Sequence, residues 1–219
     1  MSSPRLRLAA AFALTCAALA AARADTPSPL VWTFRDLRAV GGSVPEVLGS
    51  PQVLPDGAVH FNGVDQGLVV PANPISGWSR FTVAVLFRPE DDAPEAQRFL
   101  HIEDPDGRRL TVEDRVVKGK GWYMDTFLLS GKGRTLIDPA KLHPLGRWAW
   151  GELVYDGRLM RSYVDGVPEL SGEVAFAPMA GGRTSVGVRL NRVYWFKGEI
   201  REVRFYPAAL APADLPRAP

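Results

Sequence analysis

The sequence predicts an all-β protein, a sandwich or a barrel, and three observations predict it. Short β-rich runs recur along the chain, turn residues separate them, and helical periodicity is nearly absent. The turns have a mechanism: Pro105-Asp106-Gly107, Tyr155-Asp156-Gly157 and Val164-Asp165-Gly166 each place Asp-Gly where a tight hairpin needs positive φ.

The first element lies ahead of the fold. Arg5 and Arg7 precede an apolar run from Leu8 to Ala22, and Ala22-Arg23-Ala24 sets small residues where a signal peptidase cuts. The run is shorter than the roughly 20 residues that span a bilayer, and no later segment is apolar enough to cross one. We read residues 1–24 as a signal peptide and 25–219 as one domain, exported to the periplasm or beyond the cell. Cys16 is the only cysteine and leaves with that peptide, so no thiol, disulfide or cysteine-bound metal is expected in the mature chain. Loss of Arg5, Arg7 and Arg23 turns the formal charge of +2 into −1, with 23 basic residues facing 24 acidic ones. No basic stripe remains to neutralise phosphates, so a nucleic-acid partner is not expected.

Residues 25 to 57 read as an irregular lead-in with one strand, Leu30 to Phe34. Further strands are expected at Ala58–Phe61, Gly67–Val70, Arg80–Arg88, Arg98–Glu103, Arg109–Asp114 and Trp122–Leu129. The series continues with Trp148–Tyr155, Leu159–Val164, Gly172–Phe176, Thr184–Val188 and Glu199–Tyr206. Val203 and Phe205 alternate with Glu202 and Arg204, as a half-exposed strand requires. One short helical turn is expected near Ala211 to Leu215. With 46% hydrophobic and 23% charged residues, the 219-residue chain has ordinary globular composition and enough apolar material for one core.

Three segments resemble bacterial laminin-G-like, concanavalin A-like domains. They are Ala58 to Pro71 leading into Phe81 to Pro89, Gly146 to Gly157 with Ser162 to Gly166, and Phe196 to Tyr206 followed by Ala209 to Leu215. The resemblance implies a two-sheet antiparallel jelly roll whose first and last strands lie side by side, closing at the Asn62-Gly63 corner. It also implies a carbohydrate-binding or carbohydrate-degrading role. Relatives often carry an aspartate where this chain has Arg201, and some bind calcium. Asp65 is the calcium candidate here, although a lone turn aspartate more often caps its own backbone.

Candidate chemistry follows from residue type and position. Glu90-Asp91-Asp92-Ala93-Pro94-Glu95 has the spacing of the paired acids of laminarinase-like glycosidases. It sits between Pro89 and Pro94 without apolar residues to seat it in a sheet, so we read it as a solvated loop. A glycan site is expected from aromatics beside polar groups, because sugars offer apolar faces and a rim of hydroxyls. Arg189, Asn191, Tyr194 and Trp195, in the stretch before the last strand, form the preferred set, with Tyr123, Asp125 and His101 as further ligand contacts. By strict alternation His101 shares a face with Phe99 and Glu103, while Tyr123 and Asp125 oppose Trp122 and Met124. Trp148 and Trp150 are expected to face the core; alternation then takes Glu152 inward too, unless Gly151 forms a bulge.

The leading reading is an exported glycan- or polysaccharide-binding protein without cofactor, calcium apart. A lyase or glycosidase on the same fold is the second reading, with His101, Tyr123 and Glu152 as its catalytic candidates. A non-catalytic adhesion or assembly module with a protein partner is the third.

Overall fold

The computed structural model describes residues 26–218; the predicted signal peptide lies outside the described residues. Strands follow in chain order as β1 Leu30–Thr33, β2 Glu46–Leu48, β3 Gln52–Val53, β4 Val59–Asn62 and β5 Gly67–Val70. Then come β6 Phe81–Pro89, β7 Ala96–Glu103, β8 Arg109–Val117, β9 Gly121–Ser130 and β10 Lys132–Ile137. The last are β11 Ala149–Tyr155, β12 Leu159–Val164, β13 Val167–Glu173, β14 Arg183–Val186 and β15 Lys197–Tyr206, with a 3-10 turn at Pro212–Asp214.

Two antiparallel sheets stack as a jelly-roll sandwich. One runs β13-β12-β11-β6-β15-β4-β3, with β1 also paired to β15; the other runs β10-β9-β8-β7-β14-β5-β2. The first and last strands do lie side by side, Leu30 opposite Phe205, and Lys197 meets Asn62 at the expected corner. On β15 the partner changes from β4 to β1 across Arg201, where the ladder to β6 shifts register. The bulge frees Arg201 to pair with Asp56 and to lie 4.2 Å over the Trp148 ring.

Inward residues of both sheets form one core. Phe81, Val83, Val85 and Phe87 of β6 face Phe99, Leu100, Val112 and Trp122 of the other sheet, all within 1% of full burial. Phe87 stacks on Phe99 at 4.2 Å and meets Trp122 edge-on at 4.8 Å. Each such ring is worth roughly 2–3 kcal/mol in burial, so this cluster anchors the two sheets to each other.

Four elements differ from the sequence expectation. β2, β3 and β10 are edge or near-edge strands; β10 exposes five of its six residues and so shows no apolar alternation. The strand expected at Gly172–Phe176 instead begins at Val167, directly after the Asp165-Gly166 turn, and ends at Glu173. Trp148 and Trp150 do not face the core. Ala149, Leu153 and Tyr155 take the inward positions, which puts Trp150, Glu152 and Val154 on the outer face. The β11 ladder runs without a bulge at Gly151, so alternation holds and Glu152 joins the tryptophans there. The segment after β15 covers that face through Leu210, Leu215 and Ala218.

Candidate functional site

The outer face of the seven-stranded sheet carries a polar pocket of about 270 Å³. Its floor comes from side chains two apart on three neighbouring strands: Arg109, Thr111, Glu113 and Arg115 on β8, Asp125 and Phe127 on β9, Thr135 and Ile137 on β10. The intervening Leu110, Val112 and Leu128 point into the core. Four strands from β7 to β10 span about 14 Å, room for a short oligomer rather than a single small ion.

Arg98 joins from β7 because of a bulge. The β7–β8 register shifts between Arg98 and Leu100, with Phe99 as the extra residue. Phe99 and Leu100 therefore both enter the core, and Arg98 and His101, three apart, both face outward. The expectation that His101 shares a face with Phe99 is thus corrected.

The loop between β14 and β15 forms the wall. Gly187 (φ +77°) starts it; its N–H donates to Phe99 O at 3.1 Å, and Phe196 N–H returns to its carbonyl at 2.9 Å. Within the loop, Arg192 and Tyr194 both hold φ of 59°, a left-handed conformation that costs a non-glycine residue on the order of 1 kcal/mol. The strain coincides with contact: Arg98 lies 4.0 Å over the Tyr194 ring. Arg189, on the same loop, lines the pocket.

The charges are unevenly matched. Arg98 pairs through Nε with Glu113, and Arg115 donates from Nε and Nη2 to Asp125 Oδ2 at 2.8 and 2.6 Å. Arg109 lies 5.3 Å over the Phe127 ring. Among the described residues neither Arg109 nor Arg189 has a carboxylate partner. Burial, reinforced by the neighbouring Asp125, pushes the Glu113 carboxyl up to about 8 despite the two arginines. His101 is 1% exposed, and its Nδ1 accepts the Leu190 N–H at 3.2 Å. Burial, then the positive charge of Arg189, Arg109 and Arg98, holds it down at about 3, so it is neutral.

Of the residues singled out in the sequence, Arg189, Asp125 and Tyr194 meet at this pocket and His101 lies beneath its wall. Tyr123 is half-buried and opens into an adjoining hollow of about 380 Å³ with Glu95 and Lys118. Asn191 is exposed at the loop tip, while Trp195 is half-buried against Leu48, Val69 and Val188. Glu152 belongs to the other sheet, fully buried beneath the terminal segment. Both its oxygens accept the Gly166 N–H, at 3.3 and 3.4 Å, and burial pushes it up to about 9. Sequence reading missed Arg98, Arg109, Glu113 and Arg115. The signal for three of them was the polar alternation Arg-Thr-Glu-Arg from 109 to 115; the bulge hid Arg98.

Other candidates are engaged elsewhere. Residues 90–95 form the loop between β6 and β7, where Lys197 Nζ binds Asp92 at 2.5 Å and His60 binds Glu90 at 2.7 Å. Asp65 Oδ1 accepts the Asn62 side-chain N–H at 2.8 Å within a turn. It brings one carboxylate against the roughly six oxygens calcium takes, and among the described residues no group of three or more His, Cys, Asp or Glu could hold a metal ion. A larger cavity of about 480 Å³ lies by Trp122, His143, Trp148 and Asp165. Asp165 Oδ1 is occupied there by the Trp150 and Ala218 N–H groups, at 2.9 and 3.0 Å.

Among solved structures, domain 4 of AbnA, an extracellular arabinanase of Geobacillus stearothermophilus in complex with arabinotriose, superposes with a TM-score of 0.65. Identity is 20% over 86% of this chain and 97% of that one. The binding domain of botulinum neurotoxin serotype D gives 0.61 at 14% identity, over 85% of this chain and 50% of that one. The NanB sialidase of Streptococcus pneumoniae gives 0.54 at 18%, over 66% and 25%. No curated protein matches the sequence. No helix among the described residues is long and apolar enough to cross a membrane. A family model for the concanavalin A-like lectin/glucanases superfamily matches residues 62–215, and the chain belongs to that family.

Proposed function

We propose that this is an exported carbohydrate-binding protein whose glycan lies in the pocket on the outer face of the seven-stranded sheet. One observation carries the reading: a strained loop holds Tyr194 in stack with Arg98 at the rim of a pocket of arginines, carboxylates and threonines. An aromatic face beside directional polar groups is what a sugar ring requires. The arabinotriose held by the similarly folded arabinanase domain supports it. Export rests on the basic, apolar and small-residue pattern of residues 1–24. Binding is favoured over lyase chemistry because His101 is sealed beneath the loop as a neutral acceptor and Tyr123 opens into a separate hollow.

The test is affinity electrophoresis of the purified protein against a polysaccharide panel, with and without calcium, scored for retention and for shorter or unsaturated products. Retention without products is expected. Tyr194→Ala should weaken it about tenfold, in line with loss of one aromatic anchor. Trp148→Ala, in the larger cavity, should leave it unchanged. The reverse pattern moves the site to that cavity, and products make the chain an enzyme.

A further inference from the structure

We infer that the ligand of this pocket is an acidic glycan, one whose sugar units carry carboxylate or sulfate groups. The inference rests on the glycan-binding reading above. Arg109 and Arg189 line the same pocket, and among the described residues neither guanidinium meets a carboxylate. A guanidinium stays charged at any physiological pH. Two such groups facing one hollow repel each other and hold no compensating charge, an arrangement that favours an arriving anion.

The paired arginines add to the imbalance. With Glu113 and Asp125 both ionised, four guanidiniums still exceed two carboxylates in the pocket. The cluster is local, since the whole chain carries a formal charge of only +2.

The pocket also holds what a simple anion would not need. Thr111 and Thr135 on the floor bring hydroxyls that can both donate to and accept from the hydroxyls of a sugar. Tyr194 on the rim and Phe127 on the floor supply apolar surface for a ring. Charged donors, hydroxyls that can also accept and aromatic surface together describe a sugar acid or sugar sulfate. A neutral sugar would offer Arg109 and Arg189 only hydroxyl oxygens, without the ion pairing and bidentate geometry that a carboxylate or sulfate gives a guanidinium.

The experiment uses two pairs of polymers that differ in charge alone: polygalacturonate with its methyl ester, and dextran sulfate with dextran. A neutral arabinan and a single-stranded oligonucleotide complete the set. The purified protein should be retained by a charged member and released by its neutral twin; which pair responds separates carboxylate from sulfate. Retention should fall at least tenfold between about 50 and about 500 mM salt. Arg189→Gln and Arg109→Gln should each weaken it about tenfold, Arg189→Lys less, with unchanged melting curves. Retention by arabinan or a neutral twin, insensitive to Arg189→Gln, overturns the acidic class and leaves the glycan reading standing. No retention by any polysaccharide removes that reading and the inference with it. Equal retention of the oligonucleotide, lost in Arg189→Gln, assigns the pocket to a polyphosphate chain and overturns the sugar acid.

Discussion

Asp125 and Arg115 illustrate what a charged pocket demands of single residues. Asp125 is 2% exposed, and two charge-assisted hydrogen bonds from Arg115 offset its lost hydration. Arg115→Met leaves that carboxylate unpaired and should destabilise the protein by roughly 2–3 kcal/mol in urea unfolding. Adding Asp125→Leu to the same chain should restore most of the loss, since apolar replacement of both partners removes the orphaned charge. A double variant no more stable than the single one would show the pair acting independently. At this scale Arg189, Asp125 and Tyr194 were legible because aromatic and polar residues cluster visibly in the sequence. Arg98 was not legible, because its outward direction depends on a register shift at Phe99 that no local pattern announces.

The element that governs the site is the loop from Gly187 to Phe196. It is pinched at its base by two backbone hydrogen bonds and closed over His101 by a third. Gly187 is irreplaceable there: besides its positive φ, an added Cβ would approach the Phe61 ring within 2.9 Å. Gly187→Ala should therefore lower stability by about 2 kcal/mol and weaken glycan retention together, read by thermal melting and electrophoresis. Unchanged retention in a destabilised variant would detach the loop from the site. Strand positions were read well where apolar alternation marks a half-buried surface, as in β15, and where a short apolar run is buried on both faces, as in β5 and β6. The edge strands escaped, since β10 offers Lys132, Gly133 and Arg134 to solvent and its identity comes only from pairing with β9.

The whole molecule carries a pH signature. Burial raises three carboxyls above their ordinary range: Asp114 to about 7, Glu113 to about 8 and Glu152 to about 9. Each keeps a proton when folded that the unfolded chain releases near 4, so folding binds protons, and stability falls as pH rises from about 4 towards 9. His101 runs the other way: neutral when folded down to about 3, it gains a proton on unfolding below about 6.5 and costs stability as pH falls there. Three groups outweigh one, so the melting temperature should be higher at about pH 5 than at about pH 8, and Glu152→Gln should flatten the profile. A melting temperature that climbs over that interval would show these carboxyls to be ionised. Turn chemistry and strand spacing narrowed the architecture to a sandwich or a barrel, and the resemblance of three segments to a known family made it a two-sheet jelly roll. Which side of each sheet faces inward at β7 and β11 was decided by tertiary packing.

The segment after β15 clothes the back of the eight-stranded sheet, with Leu210 and Leu215 seated on Tyr163 and Tyr206 and Ala218 beside Trp150. With the glycan on the opposite sheet, as proposed, the molecule has one binding side. On a polymer, one copy of such a protein decorates a strand without bridging it to another, because bridging needs two sites that engage at once. Gelling or precipitation of a polysaccharide would therefore count copies: it would report self-association of the protein rather than a property of the fold.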